Sequence, residues 1–153
     1  MTLEPASEAR QMSRIMAIDW GEVRVGIALS DEGRMIASPH SVLKRSHSLR
    51  KDMEKISSLI EENDVALVVI GVPRQMDGTR GLAAERVMEV VEKLRSELTV
   101  PVDTCDERLS TAEAQKVLID GDVSRKKRKG VVDTIAAALF LQTYLDSGAW
   151  REG

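Results

Sequence analysis

One stretch decides the fold: Ile15-Met16-Ala17-Ile18-Asp19-Trp20-Gly21. Four apolar residues followed by an acid, an aromatic residue and a glycine indicate a buried central strand that ends in a carboxylate. A charge at the end of an apolar strand is costly, and it is typical of a strand that opens into a cleft for a cation or a substrate. Asp19 would equally suit a simple turn cap, because Asp is a common turn residue.

A second strand follows at once, from Arg24 to Ser30. Val25, Ile27 and Leu29 alternate along it with smaller or polar residues, which is the period of a strand with one buried face. Gly21 falls in the turn between the two runs. The pair therefore predicts a β-hairpin with Asp19 at its open end.

The elements further along the chain follow from the spacing of apolar residues. They are a strand from Met35 to Leu43 with a break at Pro39, a helix from Ser48 to Asn63, a strand from Val65 to Ile70 ending at Gly71, a helix from Ala83 to Leu98, a strand from Pro101 to Cys105, a short helix from Ser110 to Ile119 and a last helix from Val131 to Leu145. The basic stretch 124–129 is interpreted as a loop. This order predicts an α/β fold with a mixed five-stranded sheet, three antiparallel strands and then two parallel ones, and helices on both faces.

Composition bounds the class of protein. The chain has 153 residues, of which 42% are hydrophobic, and a net charge of −3, so we expect one globular domain whose bulk charge does not indicate nucleic-acid binding. Residues 1–13 are predicted to be a flexible N-terminal tail, 14–146 the folded domain and 147–153 a C-terminal tail. The only cysteine, Cys105, excludes an internal disulfide and a cysteine-built zinc site and is interpreted as a core filler. No apolar run is long enough to span a membrane, and no signal peptide is recognised, so we expect a cytoplasmic protein without a membrane partner.

Acidic residues occur at the ends of separate predicted elements. Asp19 ends one strand, Asp106 and Glu107 end another, and Asp133 lies in the first turns of the last helix. Ligands gather at the carboxyl ends of the parallel strands in such sheets, and converging carboxylates suit hard divalent cations. We therefore expect Mg²⁺ or Mn²⁺ as cofactor, with two ions clamping a scissile phosphate and activating water.

The choice between Asp106 and Glu107 stays open at this point. Adjacent residues on a strand point to opposite faces, so only one of the two can readily face Asp19. The spacing of the chain does not decide which one it is. The other acid would pair with Arg108 or be solvated.

Cationic residues surround the predicted acidic cleft. Five basic residues in succession, Arg125 to Lys129, lead directly into the helix that carries Asp133, and a polyanion bound at the metals would meet them. A solvated loop is the alternative interpretation of this run. The predicted nucleic-acid contacts are Arg24, Arg74, Arg108, Lys126, Lys127, Arg128 and Lys129.

Four segments together resemble the YqgF/RuvX family of bacterial proteins similar to Holliday junction resolvases. They are Asp19-Trp20-Gly21-Glu22-Val23-Arg24-Val25-Gly26, Gly71-Val72-Pro73-Arg74-Gln75-Met76-Asp77-Gly78, Asp106-Glu107-Arg108-Leu109-Ser110-Thr111 and Lys129-Gly130-Val131-Val132-Asp133-Thr134-Ile135-Ala136-Ala137. The resemblance implies a ribonuclease-H-like fold and an endonuclease that helps mature the 5′ end of 16S ribosomal RNA. It implies catalytic acids and metal ligands at Asp19, at one of Asp106 and Glu107, and at Asp133, with Lys129 and Arg24 meeting phosphate. Of the two adjacent acids we choose Glu107. The implied partner is precursor ribosomal RNA or a ribosomal particle, or alternatively branched DNA, bound by a monomer or weak homodimer.

Three other functions compete with this one. A Holliday junction resolvase would share the chemistry but would need a dimer that presents two sites to two symmetric strands. A nucleic-acid-binding module without catalysis would not need the acids that are present. An ATP-binding domain of the actin or sugar-kinase type would need a second such domain, for which 153 residues leave no room.

Overall fold

The computed structural model of the chain describes residues 13–73, 81–106 and 125–151, and for residues 125–133 it describes the backbone alone. The strands are β1 (Arg14–Trp20), β2 (Arg24–Ser30), β3 (Ala37–Lys44), β4 (Val65–Val72) and β5 (Val102–Asp106). The helices are α1 (Leu49–Glu62), α2 (Leu82–Glu97) and α3 (Arg125–Ser147), followed by a 3₁₀ turn at Ala149–Arg151. The predicted short helix at 110–119 lies outside the described residues.

The described strands form one mixed sheet in the order β3-β2-β1-β4-β5. β1 pairs with β2 and β2 with β3 in the antiparallel sense, whereas β4 and β5 continue the sheet in parallel with β1. The predicted fold class is therefore confirmed. β1 lies at the centre, which explains its unbroken apolar run: Ile15, Met16, Ala17 and Ile18 are all 0% exposed.

Helices cover both faces of the sheet, and the alternation of side chains along β1 separates the two cores. Met16 and Ile18 pack with the buried residues of α1 and α2. Ile15 and Ala17 pack with α3. α3 presents Ala137 to the sheet, and a small side chain lets the helix backbone approach closely.

The start of β3 and one buried position of α2 differ from the predictions. β3 begins at Ala37 rather than Met35, because Asp31 Oδ1 accepts hydrogen bonds from the backbone N–H groups of Met35 (2.8 Å) and Ile36 (3.0 Å) and holds them in a turn. The predicted break at Pro39 is a register shift in the pairing of β3 with β2. On α2 the predicted Ala83 is exposed and Ala84 is buried in its place.

The basic run 125–129 belongs to α3 and is not a loop, so the helix begins at Arg125 rather than Val131. Lys and Arg are good helix formers, and the run contains no residue that ends a helix. The apolar pattern that predicts the helix simply begins later than the helix itself.

The C-terminal end of α3 lies where β1 and β5 begin. The Tyr144 hydroxyl donates to Asp103 Oδ2 at 2.8 Å, near the start of β5. Gln142 accepts from the Ala37 N–H and donates to the Met35 carbonyl, both at 2.9 Å; Ala37 pairs with the last residue of β2, at the same end of the sheet. α3 therefore runs antiparallel to β1.

Within the described ranges, no helix combines the length and the apolar character needed to cross a membrane.

The hydrogen bond between Tyr144 and Asp103 predicts a pH-dependent stability. Replacing Tyr144 by Phe should lower the free energy of unfolding by about 1–3 kcal/mol at pH 8, because Oδ2 of the half-buried Asp103 carboxylate loses the hydroxyl donor. Burial, and then the bond to Asp103, raise the pKa of Tyr144 above its usual 10.0. A group whose pKa is raised by folding contributes its stability below its unfolded pKa and loses it above, so the difference should narrow above pH 10.

Urea unfolding at pH 8 and pH 11 measures this effect. Thr143→Ala, at an exposed neighbouring position on α3, is the control and should show no such dependence on pH. A difference between wild type and Tyr144→Phe that is equal at both pH values would contradict the assignment.

Candidate metal and nucleic-acid site

Asp19 is the sixth residue of β1 and is half-buried. Ile15 and Ala17 face α3, and side chains alternate along a strand, so Asp19 shares the face that α3 covers. Trp20 packs against the opposite core, with α1 and α2. The structure thus places this carboxylate at the carboxyl end of the central strand, below the last helix.

Glycines flank Asp19 on both neighbouring strands. Its antiparallel partner on β2 is Gly26. On the other side Ile18 pairs with Ile70, so that Gly71 is the next residue along β4. Neither position carries a side chain, so the sheet surface on both sides of Asp19 is backbone, and both glycines are buried.

The role of Gly26 is not among the predictions from sequence. The signal for such a role is the glycine itself, at a position of β2 whose side chain would face α3. A glycine inside a strand often marks a close approach of backbone or ligand. The sequence contains that signal but does not say which residue lies opposite.

On β5, Cys105 packs against the core under α3. The alternation along the strand then assigns Asp106 to the opposite face from Asp19, and Asp106 is exposed. β4 separates β1 from β5, so the two strands are about 10 Å apart, or two strand spacings. Glu107 and Arg108 lie outside the described residues.

The direction of α3 determines which of its turns lie near Asp19. Gln142 is level with the start of β1, and position 133 lies nine residues earlier, about 13 Å back along the helix. Asp19 lies four residues after Ile15, about 13 Å along the strand. The backbone at position 133 is therefore level with Asp19.

The helical repeat also shows on which side of α3 position 133 lies. Ala137 and Leu141 are 0% exposed and pack against the sheet. Position 133 precedes them by four and eight residues, so it falls on the same stripe of the helix backbone. Lys129 extends the same spacing by one further turn.

The structure describes only some of the predicted cationic residues. Arg24 is the first residue of β2, beside the β1–β2 turn, and is half-buried. Positions 126–129 occupy the first turns of α3, about 6–10 Å beyond the level of position 133. Arg74 lies outside the described residues, as does Arg108.

No three His, Cys, Asp or Glu side chains come together as a metal-binding group among the side chains that the structure describes. Of the predicted metal ligands, only Asp19 belongs to that part of the chain. The side chain of Asp133 and the whole of Glu107 lie outside it.

A central strand ending in a carboxylate, antiparallel neighbours on one side, parallel neighbours on the other and helices on both faces define a ribonuclease-H-like protein. A family model described as "RuvX: Holliday junction resolvase" matches residues 13–147. The chain therefore belongs to the RuvX family.

Curated relatives match nearly the whole chain. A protein of Thermoanaerobacter pseudethanolicus is 46% identical over 135 residues, which are 88% of this chain and 96% of the relative. One of Desulforamulus reducens is 45% identical over 136 residues, 89% of this chain and 98% of the relative. Both carry the name "Putative pre-16S rRNA nuclease".

A solved structure shares the fold. RuvC of T. thermophilus, in complex with a Holliday junction substrate, superposes with a TM-score of 0.56 over 90% of this chain and 97% of its own. The two sequences are 16% identical, so the likeness concerns the arrangement of strands and helices. It supports the predicted ribonuclease-H-like architecture.

Proposed function

We propose that this chain is a divalent-metal-dependent endonuclease that hydrolyses phosphodiester bonds and acts in the maturation of the 5′ end of 16S ribosomal RNA. One observation carries the proposal. Asp19 lies one residue before the end of the central strand, on the face covered by α3, and the basic first turns of α3 extend past that same end of the sheet. The family of the chain and the names of its relatives agree with a nucleic-acid substrate.

The proposed ligands are Asp19, Glu107 and Asp133. Carboxylate oxygens are the donors that Mg²⁺ and Mn²⁺ prefer, and the glycines beside Asp19 place no side chain against its carboxylate. Asp133 is included because the backbone at position 133 is level with Asp19 and lies on the side of α3 that packs against the sheet. If the alternation of β5 continues for one more residue, position 107 takes the face of Asp19, which favours Glu107 over Asp106.

The chain's own residues divide the work of phosphodiester cleavage. Asp19 is held by a rigid central strand, so its carboxylate needs little ordering when a ligand arrives. Arg24 and the basic turns of α3 neutralise phosphate charge and hold the nucleic-acid backbone in register. When bound, divalent cations supply the Lewis acidity that this hydrolysis requires.

A Holliday junction resolvase is the second candidate, and the description of the matching family favours it. The two candidates share their chemistry and differ in substrate. Purified protein with Mg²⁺ or Mn²⁺, given precursor 16S RNA and a four-way DNA junction side by side, separates them. Cleavage of the junction alone would overturn the RNA proposal, and cleavage of neither would favour a module that only binds.

Asp19→Asn should abolish cleavage while the protein stays folded. The substitution removes the charge of a proposed metal ligand, and metal ions contribute several kcal/mol to such transition states, so we expect the rate to fall about 100-fold or more. Single-turnover cleavage of the RNA and the thermal midpoint of unfolding measure both parts of the prediction.

Asp146→Asn is the matched control, because it changes the same charge on an exposed residue at the other end of α3. It should cleave like the wild type. Turnover by Asp19→Asn at the wild-type rate would remove Asp19 from the mechanism.

Replacing Lys126, Lys127 and Arg128 by Gln should weaken RNA binding and reduce its dependence on salt. For every phosphate that the variant no longer neutralises, the slope of log K against log salt should become shallower by about 0.7 for single-stranded RNA. The dissociation constant, measured by fluorescence anisotropy between about 50 and 300 mM KCl, gives this slope.

The control removes three positive charges from α1, on the opposite face of the sheet. Arg50, Lys51 and Lys55 are exposed there, and their replacement by Gln should leave the slope unchanged. If the slope of log K against log salt is the same in both triple variants, the basic turns of α3 are a solvated surface that does not contact RNA.

A further inference from the structure

Arg45, the residue after β3, holds the turn between β1 and β2. Its Nη1 lies 3.3 Å from the carbonyl oxygens of both Gly21 and Glu22 and donates to them. Its backbone N–H donates to the Val23 carbonyl at 2.8 Å. One residue therefore contacts three successive carbonyls of the turn that follows Asp19.

Arg45 also stacks on Trp20, the residue after Asp19. The guanidinium carbon lies 4.8 Å from the centre of the Trp20 ring, within the range of a cation–π contact. Trp20 lies on the face opposite to Asp19. Arg45 thus contacts the end of β1 on the face that α1 and α2 cover, and the proposed substrate lies on the other face of the sheet.

A buried carboxylate orients this arginine. The Asp52 side chain is 4% exposed, and its Oδ2 lies 3.8 Å from Arg45 Nε. Among the described residues neither of these two atoms has a hydrogen-bond partner. The positive charge of Arg45 and the negative charge of Asp52 therefore compensate each other at this place. The Ser46 N–H donates to Asp52 Oδ1 at 2.8 Å, which fixes the carboxylate.

The ion pair between Arg45 and Asp52 orients the arginine more than it stabilises the fold. A buried ion pair adds little net stability compared with an apolar pair of the same volume. The planar guanidinium, however, has separate nitrogens for separate partners: Nη1 donates to the two turn carbonyls, Nε faces Asp52 and the plane stacks on Trp20. A lysine ammonium has one nitrogen and cannot make these contacts together.

The turn itself is tight and lies between two proposed functional residues. The Gly21 N–H donates to the Arg24 carbonyl at 2.9 Å, and a Cβ on Gly21 would lie 2.6 Å from that same oxygen. Asp19 precedes the turn and Arg24 ends it. Whatever fixes the turn therefore fixes the spacing of the carboxylate and the cation.

We propose that Arg45 is a positioning residue: by clamping the β1–β2 turn it sets the distance between Asp19 and Arg24 that cleavage requires. The inference rests on the proposed nuclease function. Arg45 does not touch the substrate, so its replacement should affect the rate of the chemical step rather than the affinity for RNA.

Arg45→Lys tests the proposal, because it keeps the charge and removes the planar group whose separate nitrogens contact the turn and Asp52. Single-turnover cleavage per folded molecule should fall about tenfold, since misplacements of about 1 Å cost rates of this order or more. The dissociation constant for RNA should stay within about twofold of the wild type. Arg50→Lys, in an exposed ion pair with Glu54 on α1, is the matched control and should leave both quantities unchanged.

Amide hydrogen exchange at Gly21, followed by NMR, reports on the turn without any need for cleavage. Exchange should be faster in Arg45→Lys than in the wild type and in Arg50→Lys. Asp52→Asn, which keeps the acceptor for Ser46 and removes the charge beside Arg45, should change exchange and rate in the same direction by less. It also serves if Arg45→Lys does not fold.

A merely structural role would lower the thermal midpoint and leave both the rate per folded molecule and Gly21 exchange unchanged, and that result would overturn the inference. If the wild type itself cleaves neither RNA nor a junction, the proposed nuclease function fails. Gly21 exchange then decides alone whether Arg45 positions the turn, and unchanged exchange overturns the inference.

Discussion

The packing of α3 across the sheet is the interaction on which the other features of the structure depend. The helix contacts all five strands, and Ala137 lets its backbone lie close to β1. The hydrogen bonds of Tyr144 and Gln142 settle its direction, because they place the C-terminal end of the helix where the parallel strands begin. The basic first turns must then lie at the opposite end, where β1 ends just after Asp19. Helix packing therefore brings charge from the last quarter of the chain to the first strand.

The two faces of the sheet serve the end of β1 in different ways. On the α3 face, Asp19 lies between Gly26 and Gly71, so that backbone without side chains flanks the half-buried carboxylate. On the other face, Trp20 and Arg45 form a support for the turn. We propose that the α3 face receives the cation while the contacts on the other face hold the end of β1 in place.

Periodicity predicted the parts of the fold that repeat. The hairpin, α1, β4 and β5 follow from apolar spacing, because burial on a regular element leaves a regular pattern. The start of α3 was predicted wrongly, since the basic turns beyond the sheet carry no apolar pattern. The face of Asp106 needed the structure, because a strand's alternation has no absolute phase until Cys105 is seen to pack under α3. The role of Arg45 has no local signal, because its contacts with the turn join residues that are more than twenty positions apart.

The central claim is that Asp19 and Asp133 hold the same ions although the chain separates them by most of its length. Calorimetric titration of Mn²⁺ into wild type, Asp19→Asn, Asp133→Asn and the double variant tests it directly. If the two carboxylates share ions, each single substitution removes most of the affinity and the double variant binds little more weakly than either, because coupled residues are not additive. Wild-type affinity in Asp133→Asn, or effects that simply add in the double variant, would contradict the account.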